Sequence, residues 1–383
     1  MKKMIRDTAV TSKGEKKIES GQRNYSLNQL YFYLTEGCNL KCRHCWVAPK
    51  YQSPGKSGQV LDVELFRSII QQAKPLGLSG VKFTGGEPLM HPDILELLDI
   101  VRHEKLRLTV ETNGTLCTLE LAEAMKKASS NTFVSVSLDG VDAATYEWVR
   151  GVEGSFDAAL EGIRNLVTAG FSPQIIMTVM KRNKEQMEPL IHLAEELGVG
   201  SVKFNLVQPT ERGVAMHNAM ETLSIQELVE MGSWVENTLS SSTKIRLIYS
   251  HPMAFRPLGK MFGEKSEGCT LCGILNILGV LADGSYALCG IGESVSELVF
   301  GHASTSSLEE VWREAKVLQE LREGFPGKLE GICSDCLLKG ICLGSCVAQN
   351  YYGSKNLWAS NWYCEAAYKE GFFPEIRLKP KRV

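Results

Sequence analysis

Three cysteines, Cys38, Cys42 and Cys45, fall within the short stretch "CNLKCRHCW". A site for one structural metal ion normally offers four thiolates or a Cys/His mixture. Three thiols on a tight loop suit a cubane [4Fe–4S] cluster instead, because each of its four irons normally takes one thiolate. One iron then stays open, and a small molecule can bind there directly. A second cysteine field reads Cys333-x2-Cys336-x5-Cys342-x3-Cys346-x17-Cys364, with Cys269, Cys272 and a Gly284-x4-Cys289 element upstream. Its eight thiolates are enough for two fully ligated cubanes, although two CxxC pairs also suit a zinc ribbon. Cys117 belongs to neither field and reads as a small buried hydrophobe.

The elements that must position these ligands follow from periodicity. Six apolar segments, starting at Leu30, Val81, Leu106, Phe133, Ile175 and Ser201, have strand character. Helical spacing lies between them, as in Ile94, Leu97, Leu98 and Val101, or Phe156, Ala159, Leu160 and Ile163. Ser155 reads as the N-cap of the second of these helices and Gly170 as its stop. Repeated strand–helix units imply a parallel sheet covered by helices, and six of them suit a partial barrel better than a closed eight-fold one. "EGCNLKC", "GGEP", "ETNG" and "SLDG" all follow or end strands, so they should converge on the face where α/β barrels keep their chemistry. Past about residue 244 the alternation is expected to stop, leaving a Gly- and Cys-rich region with one clear helix from Ser307. So little periodic core implies that metal sites supply part of the folding energy there.

The 383 residues suit two domains, and 44% apolar with 22% charged content implies globular cores. A net charge of −2 argues against a nucleic-acid partner, and the basic ends read as solvated tails. No stretch is apolar enough for a membrane span or a signal peptide, which points to the cytoplasm. Reducing conditions there disfavour disulfides, leaving metal as the reason for twelve cysteines.

Cys-x3-Cys-x2-Cys after the first strand, with "GGEP" after the second, resembles the radical S-adenosylmethionine (radical SAM) superfamily over residues 30–243. The resemblance implies an enzyme in which the methionine end of SAM chelates the open iron. Reduction then cleaves SAM to a 5′-deoxyadenosyl radical that abstracts a substrate hydrogen. By the same resemblance Gly85, Gly86 and Glu87 receive the methionine amino group, and His44 sits where an aromatic ring usually meets the adenine. Ser137 and Arg150 match positions that bond the ribose and the methionine carboxylate, Leu206 lines the adenine, and Asn113 is a further polar contact. From the residues alone, Ser137 also reads as a strand-end hydroxyl, Arg150 as a helix-flanking surface charge, His44 as an exposed loop residue and Leu206 as core.

The second field resembles the SPASM extension of radical SAM enzymes, over about residues 269–364. That resemblance assigns Cys269, Cys272, Cys289 and Cys346 to a first auxiliary cluster and Cys333, Cys336, Cys342 and Cys364 to a second, making three [4Fe–4S] clusters with the SAM-binding one. The expected layout is an N-terminal extension over 1–29, a partial (β/α)6 radical SAM barrel over 30–243, and a bridging segment with a small SPASM domain over 244–383. The resemblance implies a maturase acting on a peptide or protein, for example in crosslinking, with flavodoxin or ferredoxin as reductant. A cofactor- or haem-type tetrapyrrole enzyme is the alternative, and a non-catalytic iron–sulfur carrier the reading from another class. Sulfatase maturases carry a basic Asp after the cysteine of the Gly-x4-Cys element, whereas Gly290 stands here, with Glu293 nearby as a substitute or simply as an exposed loop residue. The stretch before Leu30 is too short for a leader-binding domain, so a separate leader-recognition protein is expected if the substrate bears a leader.

Overall fold

The computed structural model describes residues 25–53, 55–56, 58–263 and 272–380. Among them, seven parallel strands follow one another across a sheet: β1 (Gln29–Tyr33), β2 (Gly80–Thr84), β3 (Arg107–Thr112), β4 (Thr132–Ser137), β5 (Gln174–Val179), β6 (Ser201–Leu206) and β7 (Arg246–Tyr249). On the far side of β1 the sheet continues through β8 (Ile277–Val280), parallel to β1, and then β9 (Ser285–Ala287) and β10 (Val299–His302), both antiparallel. Among the described residues β7 and β10 each have a neighbour on one side only, so the sheet does not close.

The strands alternate in burial, which explains how a parallel sheet can carry polar residues. Strands covered on both faces read as continuous apolar runs. Here Val81 and Phe83 of β2, and Val202 and Phe204 of β6, are fully buried beneath helices, while Lys82, Thr84, Lys203 and Asn205 between them are only half-buried. The inner face therefore lines a cavity and the outer face packs. Phe32 and Phe83 meet Phe66 of α1 (Val63–Ala73) at ring-centroid distances of 4.5 and 5.8 Å. Burying each such ring stabilises the fold by about 2 kcal/mol. Asp62, Thr118 and Asp142 accept the N-terminal N–H groups of α1, α2 (Leu119–Ala128) and α3 (Ala143–Arg150), each cap contributing about 1 kcal/mol.

The structure departs from the sequence-based expectations in three places. The α/β alternation does not stop at 244: β7 adds a further parallel strand, and β8 brings the cysteine-rich segment into the same sheet. Four-residue strands carry too little pattern to stand out from their flanks. The helix expected from Ser307 is two helices, Leu308–Glu314 and Lys316–Gly324, broken where Ala315 is extended. The break lets Trp312 donate to the carbonyl of Tyr25 at 2.8 Å while Leu318 and Leu321 are also buried. Gly154, in the left-handed conformation, is the cap of the helix Ser155–Thr168, and the Ser155 hydroxyl instead donates to the Val152 carbonyl. Gly170 does lie just past that helix's end, at φ +80°.

Candidate active site

The three-cysteine loop is pinned from several sides. N–H groups of Lys41 and Arg43 donate to the carbonyls of Arg150 and Val149 at 2.8 and 2.9 Å, at the end of α3. The Arg212 guanidinium donates to the carbonyls of Cys42 and Pro49 at 3.2 and 2.7 Å. The loop after β2 then closes on it, with Gly86 N–H donating to Thr35 and Glu87 N–H to Gly37 at 2.9 and 3.0 Å. A Cβ on Gly86 would stand 1.9 Å from the Gly37 carbonyl oxygen, so only glycine permits this approach. Cys38 and Cys42 are buried and Cys45 half-buried. Burial, with Glu87 and Cys42 beside it, pushes the Cys38 thiol well up, so positive charge must arrive before it becomes a thiolate.

Glu87 does not offer a free carboxylate. Its oxygens accept from Thr112 Oγ1 at 2.6 Å, from the N–H of Asn113 at 2.8 Å and from the N–H of Leu89 at 3.1 Å. Burial raises it to about 7 against those bonds. Glu87 therefore rivets the loop after β2 to the end of β3, and it lines the cavity together with Gly85 and Gly86. Asn113 is similarly engaged, donating to Asn39 Oδ1 at 2.8 Å and lying 3.9 Å from Cys38 Sγ.

The sequence reading did not single out Asp139, although it quoted the "SLDG" that contains it. This carboxylate is completely buried, 2.8 Å from Arg150 Nη2 and 2.7 Å from His44 Nε2, and it accepts from Thr178 N–H at 2.7 Å. Burial opposes its charge, but Arg150 and His44 outweigh that and hold it below the usual carboxylate range. One buried anion thus aims two of the expected SAM contacts. Arg150 is itself buried and also donates to Cys42 Sγ at 3.4 Å, so it is no surface charge. The signal was available: an acidic residue two positions after a strand-end serine, in a loop expected on the same face as the cysteines.

A cavity of about 490 Å³ unites these groups, lined by all three loop cysteines together with His44, Gly85, Gly86, Glu87, Asn113, Ser137, Arg150 and Leu206. Its wall continues to Cys272, Cys289 and Cys346. A separate small cavity of about 20 Å³ is lined by Cys333, Cys336, Cys342 and Cys364. Cys269 lies outside the described residues, so the fourth ligand of the first auxiliary group is not placed. Burial and the neighbouring cysteines push Cys272 up to about 12 and Cys342 up to about 11. Crowded thiols of this kind are poor thiolates alone and good ligands once a metal supplies charge. The three-thiol loop, the cavity beside it and the two further cysteine groups fit iron–sulfur clusters and a nucleoside-sized ligand. Cys117 is buried in the core, as expected.

Gly290 has a structural reason. A Cβ there would lie 2.2 Å from the ring of Tyr33, which lines the same cavity as Cys289. Glu293 ends the 3-10 turn Gly290–Glu293 and does not line the cavity, while desolvation with Asp283 and Glu36 nearby raises its carboxyl to about 7.

A profile of the radical SAM superfamily matches residues 32–194, and the SPASM iron–sulfur cluster-binding domain matches 269–337. The AdoMet-dependent heme synthase of Methanosarcina barkeri is 31% identical over 344 residues, covering 86% of this chain and 94% of that one. Mycofactocin maturase MftC of Mycobacterium tuberculosis is 26% identical, covering 92% and 86%. Streptococcus suis SuiB bound to S-adenosylmethionine shares the fold at a TM-score of 0.68 and 19% identity, over 89% of this chain and 78% of that one. The chain belongs to the radical SAM superfamily and carries a SPASM domain: it is an enzyme that uses S-adenosylmethionine and iron–sulfur clusters. When bound, these groups supply the electron and the organic radical, while the protein orients and shields them.

Proposed function

We propose that this enzyme abstracts a hydrogen from a carbon of a peptide or protein residue. In this reading Cys38, Cys42 and Cys45 hold the SAM-cleaving cluster. His44, Gly85, Gly86, Ser137, Arg150 and Leu206 surround SAM, with Glu87, Asn113 and Asp139 positioning them. Eight of the other nine cysteines, all but Cys117 and with Cys269 among them, hold two auxiliary clusters, making three in all. The observation that carries the reading is the cavity, which has the three-cysteine loop on one wall and Cys272, Cys289 and Cys346 on another. At about 490 Å³ it falls within the range of small-molecule sites. MftC, a named maturase, supports the peptide class. A flavodoxin or ferredoxin as reductant, a separate leader-recognition protein and a cytoplasmic setting belong to the same reading; among the described residues no helix is long and apolar enough to cross a membrane.

A tetrapyrrole substrate is the second reading, favoured by the 31% identity to a heme synthase. The test is anaerobic reconstitution, then SAM and dithionite. Formation of 5′-deoxyadenosine is expected, and its absence overturns the enzymatic reading of the site. Stimulation by short peptides rather than by coproporphyrin III supports the peptide class, and the reverse result replaces it with the tetrapyrrole one.

A further inference from the structure

Between the SAM end of the cavity and Cys272 and Cys289 lies a charged floor that the SAM contacts leave unused. Lys82 of β2, Glu111 of β3 and Lys203 of β6 point from the inner face of the sheet, one layer below the loops that follow those strands. Lys82 Nζ is 2.6 Å from Glu111 Oε1 and lies 4.7 Å over the ring of Tyr31. Lys203 is different. Its ammonium is half-buried, it interacts electrostatically with both Glu111 and Lys82, and among the described residues it has no hydrogen-bond or ion-pair partner. Nearby Asn205 is held by the Ser250 hydroxyl, which donates to its Oδ1 at 2.8 Å.

The other cations of the wall are committed. Arg150 is taken by Asp139 and Cys42, and Arg212 by two carbonyls. Two lysines against one glutamate leave a net positive charge on the floor. An ammonium that is withdrawn from bulk water and faces a cavity stays costly until an anion reaches it. Thr84 and Asn205 add neutral polar groups on the same wall, suited to orienting what the ammonium attracts.

We propose that Lys203, with Lys82 beside it, binds a carboxylate carried by the substrate and so places the reacting carbon between the SAM site and the first auxiliary cysteine group. The proposal rests on the enzymatic reading above and adds the chemical class of the substrate group. One cation without a hydrogen-bond or ion-pair partner among the described residues fits one carboxylate, such as an acidic side chain or the C-terminus of a peptide. A tetrapyrrole propionate has the same chemistry, and the experiment separates the two sources.

The reconstituted, SAM-loaded holoenzyme is titrated by saturation-transfer NMR with N-acetylglutamate N-methylamide, its neutral glutamine counterpart, and coproporphyrin III. The acidic amino-acid probe is expected to bind about tenfold tighter than the neutral one, the preference a charge-assisted hydrogen bond gives. That preference should be lost in Lys203→Met and kept in Lys203→Arg, which also shows that the cavity has folded. Equal binding of acidic and neutral probes overturns the proposal. So does a preference that persists in Lys203→Met, or no binding of any carboxylate probe. Lys203-dependent binding of coproporphyrin III alone upholds the carboxylate site and assigns its source to a propionate. Wild-type 5′-deoxyadenosine formation, measured separately, shows whether the underlying enzymatic reading has failed instead.

Discussion

The barrel and the cysteine-rich region are held together in different ways. From β1 to β7, helices with regular apolar stripes cover a sheet whose outer residues are fully buried, and hydrogen-bonded ladders fix the register. From residue 331 to 369 the chain makes four short helices, Gly331–Asp335, Lys339–Cys342, Val347–Ser354 and Trp362–Lys369. Two of these are only a single turn, which does not persist in water without tertiary support. Four cysteines meet around a small cavity there, and Leu343, Ser345 and Lys355 take left-handed backbone conformations that L-residues rarely adopt. The expectation is that a barrel loop can lose a ligand and keep its shape, whereas the C-terminal region should depend on its ligands for shape itself.

The sharpest way to break this comparison is at the two cysteine sites. Cys38→Ser should abolish 5′-deoxyadenosine formation, by ~1000-fold or more, while far-UV circular dichroism and melting stay close to wild type. A large fall in melting temperature would show that the barrel too is built around its metal. Asp139→Asn should weaken SAM binding by about 10- to 100-fold, because His44 and Arg150 lose the anion that aims them. Equilibrium dialysis with labelled SAM reads this, and unchanged affinity would remove Asp139 from the site.

The next effect is local. Cys364→Ser should raise amide exchange across residues 331–369 by ~30-fold while β2 to β6 stay protected. Exchange that rises everywhere would mean that the two regions unfold as one unit.

The smallest expected effect lies at their junction, where Glu236 meets His251, Arg256 and Lys260. Burial opposes its charge, yet its bonds to His251 and Lys260 bring it from the ordinary 4.5 down to about 2. A depressed carboxylate stabilises the fold above its unfolded value and loses that contribution as pH falls from about 4.5 toward 2. Glu236→Gln should cost about 1 kcal/mol in urea unfolding at pH 7, and the gap to wild type should narrow as pH approaches 2.

The barrel strands were legible because a strand alternating between a packed and a cavity face leaves a period of two, and its helices leave a period near 3.6. β7 and β8 were not, since four residues carry no usable period and their place in the sheet depends on partners more than 35 residues away. The ligand spacings were plain because a cluster needs several soft atoms near one another along the chain. Asp139 and Lys203 were invisible as functional groups, for an acid in a loop and a lysine in a strand have no signature until their surroundings are known.

The sequence by itself determined the thiol inventory, the order of strands and loops, and the glycines that let Gly85 and Gly86 lie against the cysteine loop. These depend on residue type and local spacing. Only the tertiary structure decided that Glu87 accepts from Thr112, Asn113 and Leu89 while lining the cavity, that Asp139 joins His44 to Arg150, and that Lys203 of the inner wall has no hydrogen-bond or ion-pair partner among the described residues. Those facts depend on which charges meet once water is excluded, and the energy of a charge is set by its neighbours in space.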